Sequence, residues 1–294
     1  MNEMQKEALT ILKNRYSHRK FIDKPIEEEV LNEILEVGLA AASGGNLQPV
    51  SIIKIQQKER KEEIASICNQ GFIKDADTLL VFVADYYRLK QWTEVQKAPF
   101  GREQAFRDFI IALEDVMCMA QSIECAANLL GVGNVYIGTV NARYDEMKKF
   151  LSLPELTIPV LITCLGYSDD SGMNRIKLSK DVVVHNEVYT PLTEKEVKEK
   201  IVDYKYNNWI QELSGDVLKK YINHFYDVAN EVNGEEWAKK VVEKIEEQGG
   251  INRAQYRFGW HYNPLVQRSY NEKIYNFYES QGFKFLPKRK KEEE

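Results

Sequence analysis

Apolar residues recur every three or four positions up to residue 14 and again over 26–42. There Glu27, Glu28 and Glu29 crowd the start as a helix N-terminus prefers, so two helices are predicted. Four short runs have the opposite character. VSIIKI at 50–55, LLVFVA at 79–84, residues 134–137 and PVLITCLG at 159–166 are rich in β-branched residues, and each predicts a strand. Between the second and third, over 104–130, Phe106, Phe109, Ile110, Leu113, Val116, Met117 and Ala120 form a wide apolar stripe that predicts one long central helix. From His185 onward the pattern shifts to charged amphipathic helices over 193–205, 216–232 and 235–248, with no strand visible among them. Trp209, Trp237 and Trp260 punctuate that half. Their amphipathic bodies look for an apolar surface, within the chain or on a second subunit.

Strands alternating with helices predict a layered α and β architecture, with much of the sheet's cover helical. The chain of 294 residues is long enough for a sizeable core, and 44% hydrophobic with 29% charged residues excludes a disordered or membrane-embedded chain. A net charge of −5 removes the broad attraction that nonspecific nucleic-acid binding needs, while leaving room for a local basic pocket. The stretch from 125 to 142 carries no formal charge, but three Asn and three Gly divide it into a helix end, a turn and a strand. The first ten residues lack an apolar run, so no secretory signal is expected and the protein is expected in the cytoplasm. Cys68, Cys118, Cys125 and Cys164 form no CxxC pair and the four histidines are scattered; no metal site is expected, and the thiols are expected to be buried and reduced.

Four segments carry candidate chemistry. In RYSHRKF, residues 15–21, an extended backbone turns Arg15, Ser17 and Arg19 to one side, where two guanidinium groups and a hydroxyl suit an anion; a solvated basic patch has the same composition. In ASGGNLQP, residues 42–49, glycines permit close backbone approach and Asn46 with Gln48 offers donor and acceptor together, as the edge of a heterocycle requires. An ordinary helix cap and loop would use similar residues. GVGNVYIG, residues 131–138, begins like a dinucleotide fingerprint, but the third glycine of that motif would fall at Tyr136 and the segment follows a helix; a glycine turn opening a strand remains. Arg175-Ile176-Lys177-Leu178, after an acidic glycine-containing loop at 168–173, offers two cations that either join Arg15 and Arg19 or pair with Asp169 and Asp170. There is no GxSxG, no HExxH and no Cys–His pattern, so no hydrolytic reading competes.

In this order and at these distances the segments resemble the FMN-dependent nitroreductase superfamily. The following VVVHNEVY and the closing FYESQGFKF are similar to its oxygen-insensitive NADPH nitroreductase and flavin reductase subgroup. The resemblance implies an α+β fold with a mixed central sheet flanked by helices in an intertwined homodimer. Residues 1–189 would be the FMN-binding core and 190–294 a dimer-wrapping helical extension of the same domain. It implies FMN as cofactor and NAD(P)H as donor, with hydride passing through flavin N5 to a nitroaromatic, quinone or similar small-molecule acceptor in a ping-pong cycle. Supply of free reduced flavin, or a flavin-holding interaction protein with little turnover, are the alternatives. No nucleic acid and no membrane take part. Arg15, Tyr16, Ser17, Arg175 and Lys177 would lie near the FMN phosphate or ribityl chain, and Arg19 near the N1 and C2 carbonyl edge, where it would stabilise the negative charge of the reduced ring. Ser43, Gly44, Asn46 and Gln48 would reach the ring from the other subunit, and Tyr136, Ile137 and Gly138 would offer backbone contacts near N5 and O4. Arg253, Arg257 and Arg268 are candidates for an NADPH 2'-phosphate on charge alone. This chain departs from the family pattern at Ala42, where proline is frequent, at Val50, where an aromatic is frequent, and at Arg175-Ile176-Lys177, where Lys-Pro-Arg appears with its cations exchanged.

Overall fold

The computed structural model describes residues 1–170, 172 and 175–285. The closing KRKKEEE, expected as a solvated tail, and Ser171 and Met173 of the acidic loop lie outside the described residues. The chain divides into two compact units, Met1–Asn174 with Lys273–Glu294, and Arg175–Glu272.

The first unit is built on a four-stranded antiparallel sheet. Its strands β1 (Val50–Ile55), β2 (Thr78–Asp85), β3 (Gly133–Ile137) and β4 (Thr157–Gly166) lie in the order β1-β2-β4-β3. Helices α1 (Glu3–Lys13), α2 (Glu28–Leu39), α3 (Lys58–Ile67), α4 (Tyr86–Gln96), α5 (Phe106–Leu129) and α6 (Tyr144–Leu151) connect and cover it. All of β2 is buried, which is why its sequence is a continuous apolar run rather than an alternation. Leu80 and Phe82 on β2 and Leu161 and Leu165 on β4 face Ile34 of α2 and Val116, Ala120 and Ile123 of α5. Their neighbours Leu79, Val81, Ile162 and Cys164 face the other way, against Ile64 of α3 and Met147 of α6. The sheet is therefore the middle of three layers. Close approach of α2 to α5 depends on Gly38, where an added Cβ would run into Ile123.

The second unit contains short helices α7 (Lys180–Val183) and α8 (Glu194–Val197), strands β5 (Ile210–Glu212) and β6 (Gly250–Asn252), and helices α9 (Gly215–Asn233), α10 (Glu235–Gln248), α11 (Arg253–Gln255) and α12 (Pro264–Ser269). Phe225, Ile245 and Ile251 form its core. An apolar cavity of about 610 Å³ lies among Phe225, Val228, Trp237, Val241 and Phe258. Two expectations are corrected here. A helix over 193–205 is α-helical only through α8 and continues as a π-helical stretch, Lys198–Asp203. The half expected to lack strands contains the β5–β6 pair, whose three-residue strands are too short to print an alternation. The chain re-enters the first unit along α13 (Asn271–Ser280), and Phe277 and Phe283 bury against Tyr86, Phe109 and Tyr144. Among the described residues no helix is long and apolar enough to cross a membrane. Cys68 and Cys164 are buried free thiols as expected, but Cys118 is exposed because it sits on the outward face of α5.

Candidate functional site

After α1 the chain runs extended along the outer edge of β3. The His18 N–H donates to the Asn134 carbonyl (3.0 Å) and the Asn134 N–H donates to His18 Nδ1 (3.2 Å), which requires that nitrogen to be bare. Burial lowers the His18 pKa, in keeping with a ring held neutral. The residue alternation expected for an extended backbone is present. Tyr16 and His18 stand together, ring centroids 4.1 Å apart, and the Tyr16 hydroxyl donates to the Asp170 carbonyl. On the alternate positions, Arg15 Nη2 donates to Ser17 Oγ (3.3 Å) and Arg19 Nη1 to the Ser17 carbonyl (3.4 Å), so the two cations and the hydroxyl converge. Glycines make the seating possible. A Cβ on Gly133 would meet His18 Cγ at 2.9 Å, and one on Gly166 would meet Phe21 Cδ1 at 2.9 Å.

Arg15 is anchored from inside. Its Nε lies 2.8 Å from Oε1 of Glu124, a carboxylate on α5 that is only 2% exposed. The Tyr136 phenol is buried beside the same carboxylate; burial first, and the Glu124 charge after it, push its pKa well above the ordinary value.

The 43–48 loop is held from two sides. Asp115 of α5, also buried, accepts from the Ser43 hydroxyl (3.0 Å) and the Gly44 N–H (2.9 Å), while Ser43 Oγ accepts from the Gln48 N–H (2.8 Å). From the other side, Arg88 donates to the carbonyls of Gln48 and Val50 (2.9 Å for the latter), and its own N–H is capped by Asp85 (2.9 Å). This bracing holds a left-handed backbone at Gly45, Asn46 and Gln48 (φ 59°, 55° and 52°), which at a non-glycine residue costs about 1–2 kcal/mol. The result is a locked amide pair. Gln48 Nε2 donates to Asn46 Oδ1 (3.0 Å) and both residues are exposed, leaving the Asn46 amide hydrogens and Gln48 Oε1 facing outward.

β3 supplies a backbone rim. In an antiparallel strand, alternate residues turn both N–H and C=O to the same edge, so Tyr136 faces the outer edge that Asn134 uses for His18. Ile137 is buried under the sheet, and at Gly138 an added Cβ would meet no atom within 4 Å, so the space over its backbone is open.

Arg15, Tyr16, Ser17, Arg19, Ser43, Gly44, Asn46, Gln48, Tyr136, Ile137 and Gly138 thus all belong to the first unit; Arg175 and Lys177 open the second, both exposed. Arg253 lies with its guanidinium 3.8 Å from the Trp209 ring centroid. Sequence reasoning missed Asp115, Glu124 and Arg88. The signal for the first two is an acid set inside the apolar register of α5, where only a partnered carboxylate is tolerated.

The sequence model described as Nitroreductase family matches residues 12–167. The NADPH-flavin oxidoreductase of Vibrio harveyi is 30% identical over 233 residues, 75% of this chain and 95% of that protein. A solved structure of the Vibrio harveyi NADPH:FMN oxidoreductase complexed with NAD+ aligns with a TM-score of 0.61 at 30% identity, over 66% of this chain and 82% of that one. The structure of B. megaterium NfrA2 aligns with a TM-score of 0.66 at 25% identity over 98% of this chain and 100% of that one.

Proposed function

We infer how this chain works from the premise that it belongs to the nitroreductase family. It is an NAD(P)H-dependent flavin oxidoreductase that uses FMN. When bound, FMN would supply the hydride-transfer chemistry between NAD(P)H and an acceptor, for which we propose a ping-pong cycle. The acceptor class we propose is a nitroaromatic, quinone or similar compound; the likeness to a protein named NADPH-flavin oxidoreductase keeps reduction of free flavin as the second reading.

The chain's task is to hold and polarise that ring. One observation carries the reading: Arg15, Ser17 and Arg19 converge on a segment seated along the same edge of β3 toward which Tyr136 turns its backbone groups. Arg15 and Ser17 would take the phosphate or ribityl chain, beside Tyr16. Arg19, exposed and with further guanidinium hydrogens free for a ligand, would sit at the N1 and C2 carbonyl edge. A fixed cation there stabilises negative charge without reorganising. The outward Asn46 and Gln48 amides match the alternating rim of the ring's pyrimidine. Ser43 and Gly44, committed to Asp115, would act by shaping their loop.

The two halves of this cradle hang from the same helix at Asp115 and Glu124. Nine residues of α-helix separate them by about 13 Å along the axis and turn them to opposite faces. A complete site is therefore proposed to form between two copies of the chain, as a homodimer working in the cytoplasm.

Arg19→Ala tests the reading. Loss of one charge-assisted contact is expected to weaken FMN binding about tenfold and to slow anaerobic flavin reduction by NADPH measured by stopped flow, in a protein that keeps its fold. An unchanged reduction rate removes Arg19 from the role.

A further inference from the structure

We propose that Glu124 is a positioning residue for cofactor binding: it fixes the Arg15 guanidinium so that its Nη edge faces the phosphorylated end of FMN. This rests on the reading that Arg15 meets the phosphate. Glu124 stands on α5 within the core that also contains Val116, Ala120, Ile123 and Ala127, where an apolar side chain would pack without a desolvation cost. What the carboxylate adds is position. Its Oε1 stands 2.8 Å from Nε of Arg15 as an ion pair rather than an aligned hydrogen bond, so it fixes where the guanidinium sits, while Ser17, accepting from Nη2, sets the way the planar fork points. Nη2 donates to Ser17 Oγ, and the Arg15 side chain keeps 29% of its surface exposed. The pair thus combines a buried anchor with an outward donor edge. A phosphate is a tetrahedral dianion that accepts two parallel N–H donors from such an edge. The uncharged flavin lacking phosphate, riboflavin, gains nothing from it. Glu124 also offsets the Arg15 charge, so its removal strengthens the bare electrostatic attraction while releasing the geometry; the proposal holds that geometry dominates.

The test is fluorescence titration of the FMN-stripped protein with FMN and with riboflavin. Glu124→Gln, nearly the same shape, is expected to shrink the preference for FMN over riboflavin about tenfold, the size of one charge-assisted hydrogen bond, with riboflavin affinity within about twofold of the parent. Arg15→Ala should shrink it as well, and the double variant no further, because both act on one contact. Arg15→Lys gives an arm independent of any change at Glu124. An ammonium keeps the charge but cannot hold Glu124 and present a fork at once, so the preference should fall as with alanine. If Arg15→Ala lowers the preference while Glu124→Gln leaves or raises it, or if Arg15→Lys retains it fully, the positioning role is wrong. If Arg15→Ala itself leaves the preference intact, the phosphate reading of Arg15 fails first.

Discussion

Asp115→Ala is expected to lower the thermal midpoint of the first unit by about 6–12 °C and to open the 43–48 loop to protease. Asp115 receives two hydrogen bonds, from the Ser43 hydroxyl and the Gly44 N–H, in a buried setting. Hydrogen bonds to a charged group contribute about 1.5–3 kcal/mol each, so losing both costs about 3 kcal/mol or more, and a protein of this size shifts by about 2–4 °C per kcal/mol. The consequence spreads because Ser43 Oγ also receives the Gln48 N–H, and the left-handed turn at Asn46 and Gln48 relies on that brace. Asp115→Asn keeps an acceptor for Gly44 and should cost about 1 kcal/mol. Differential scanning with limited proteolysis reads both variants; a midpoint within 2 °C of the parent for the alanine variant would show that the loop holds itself.

A second large effect is expected from Gly133→Val. The added Cβ would lie 2.9 Å from His18 Cγ and 3.0 Å from the Gly166 carbonyl oxygen. The carbonyl belongs to β4, paired with β3 along the whole of β3, and has little room to yield, so His18 must leave. Its departure breaks the two-way exchange with Asn134 and the contact with Tyr16, and frees the segment that carries Arg15, Ser17 and Arg19. Overpacking costs about 1–3 kcal/mol and each of the two lost hydrogen bonds about 1 kcal/mol, so stability should fall by about 3–5 kcal/mol. FMN affinity should fall with it, by more than about tenfold. Gly71→Ala is the control: nothing lies within 4 Å of its Cβ position, and neither stability nor FMN binding should change. Urea unfolding and flavin titration measure both; retention of parental FMN affinity by Gly133→Val would detach the 15–21 segment from the cofactor.

How far these features were legible in the sequence depended on whether burial left a periodic trace. The four strands of the main sheet were readable to within two residues because runs such as LLVFVA are buried throughout. The long helix α5 was equally plain, and so was the alternation in RYSHRKF that turns Arg15, Ser17 and Arg19 one way. α3, KERKEEIASI, buries only Ile64 and Ala65, too few to print a stripe over its charges. The β5 and β6 strands are three residues long and are recognisable only once Ile251 and Gln211 stand opposite each other. The supports of the site were hidden for a different reason. Asp115, Glu124 and Arg88 act on residues 38 to 109 positions away, and no local pattern reports a partner that distant. Sequence named the side chains offered to the cofactor, whereas the carboxylates that aim them needed the fold.

The most direct test is the visible spectrum of the purified, full-length protein supplied with FMN, before and after NADPH is added without oxygen. A yellow protein with the bands of oxidised flavin, bleached by NADPH and restored by air, is the expected result. A protein that stays colourless in excess FMN, or that binds FMN which NADPH leaves oxidised, would contradict a cradle built from these residues for that chemistry.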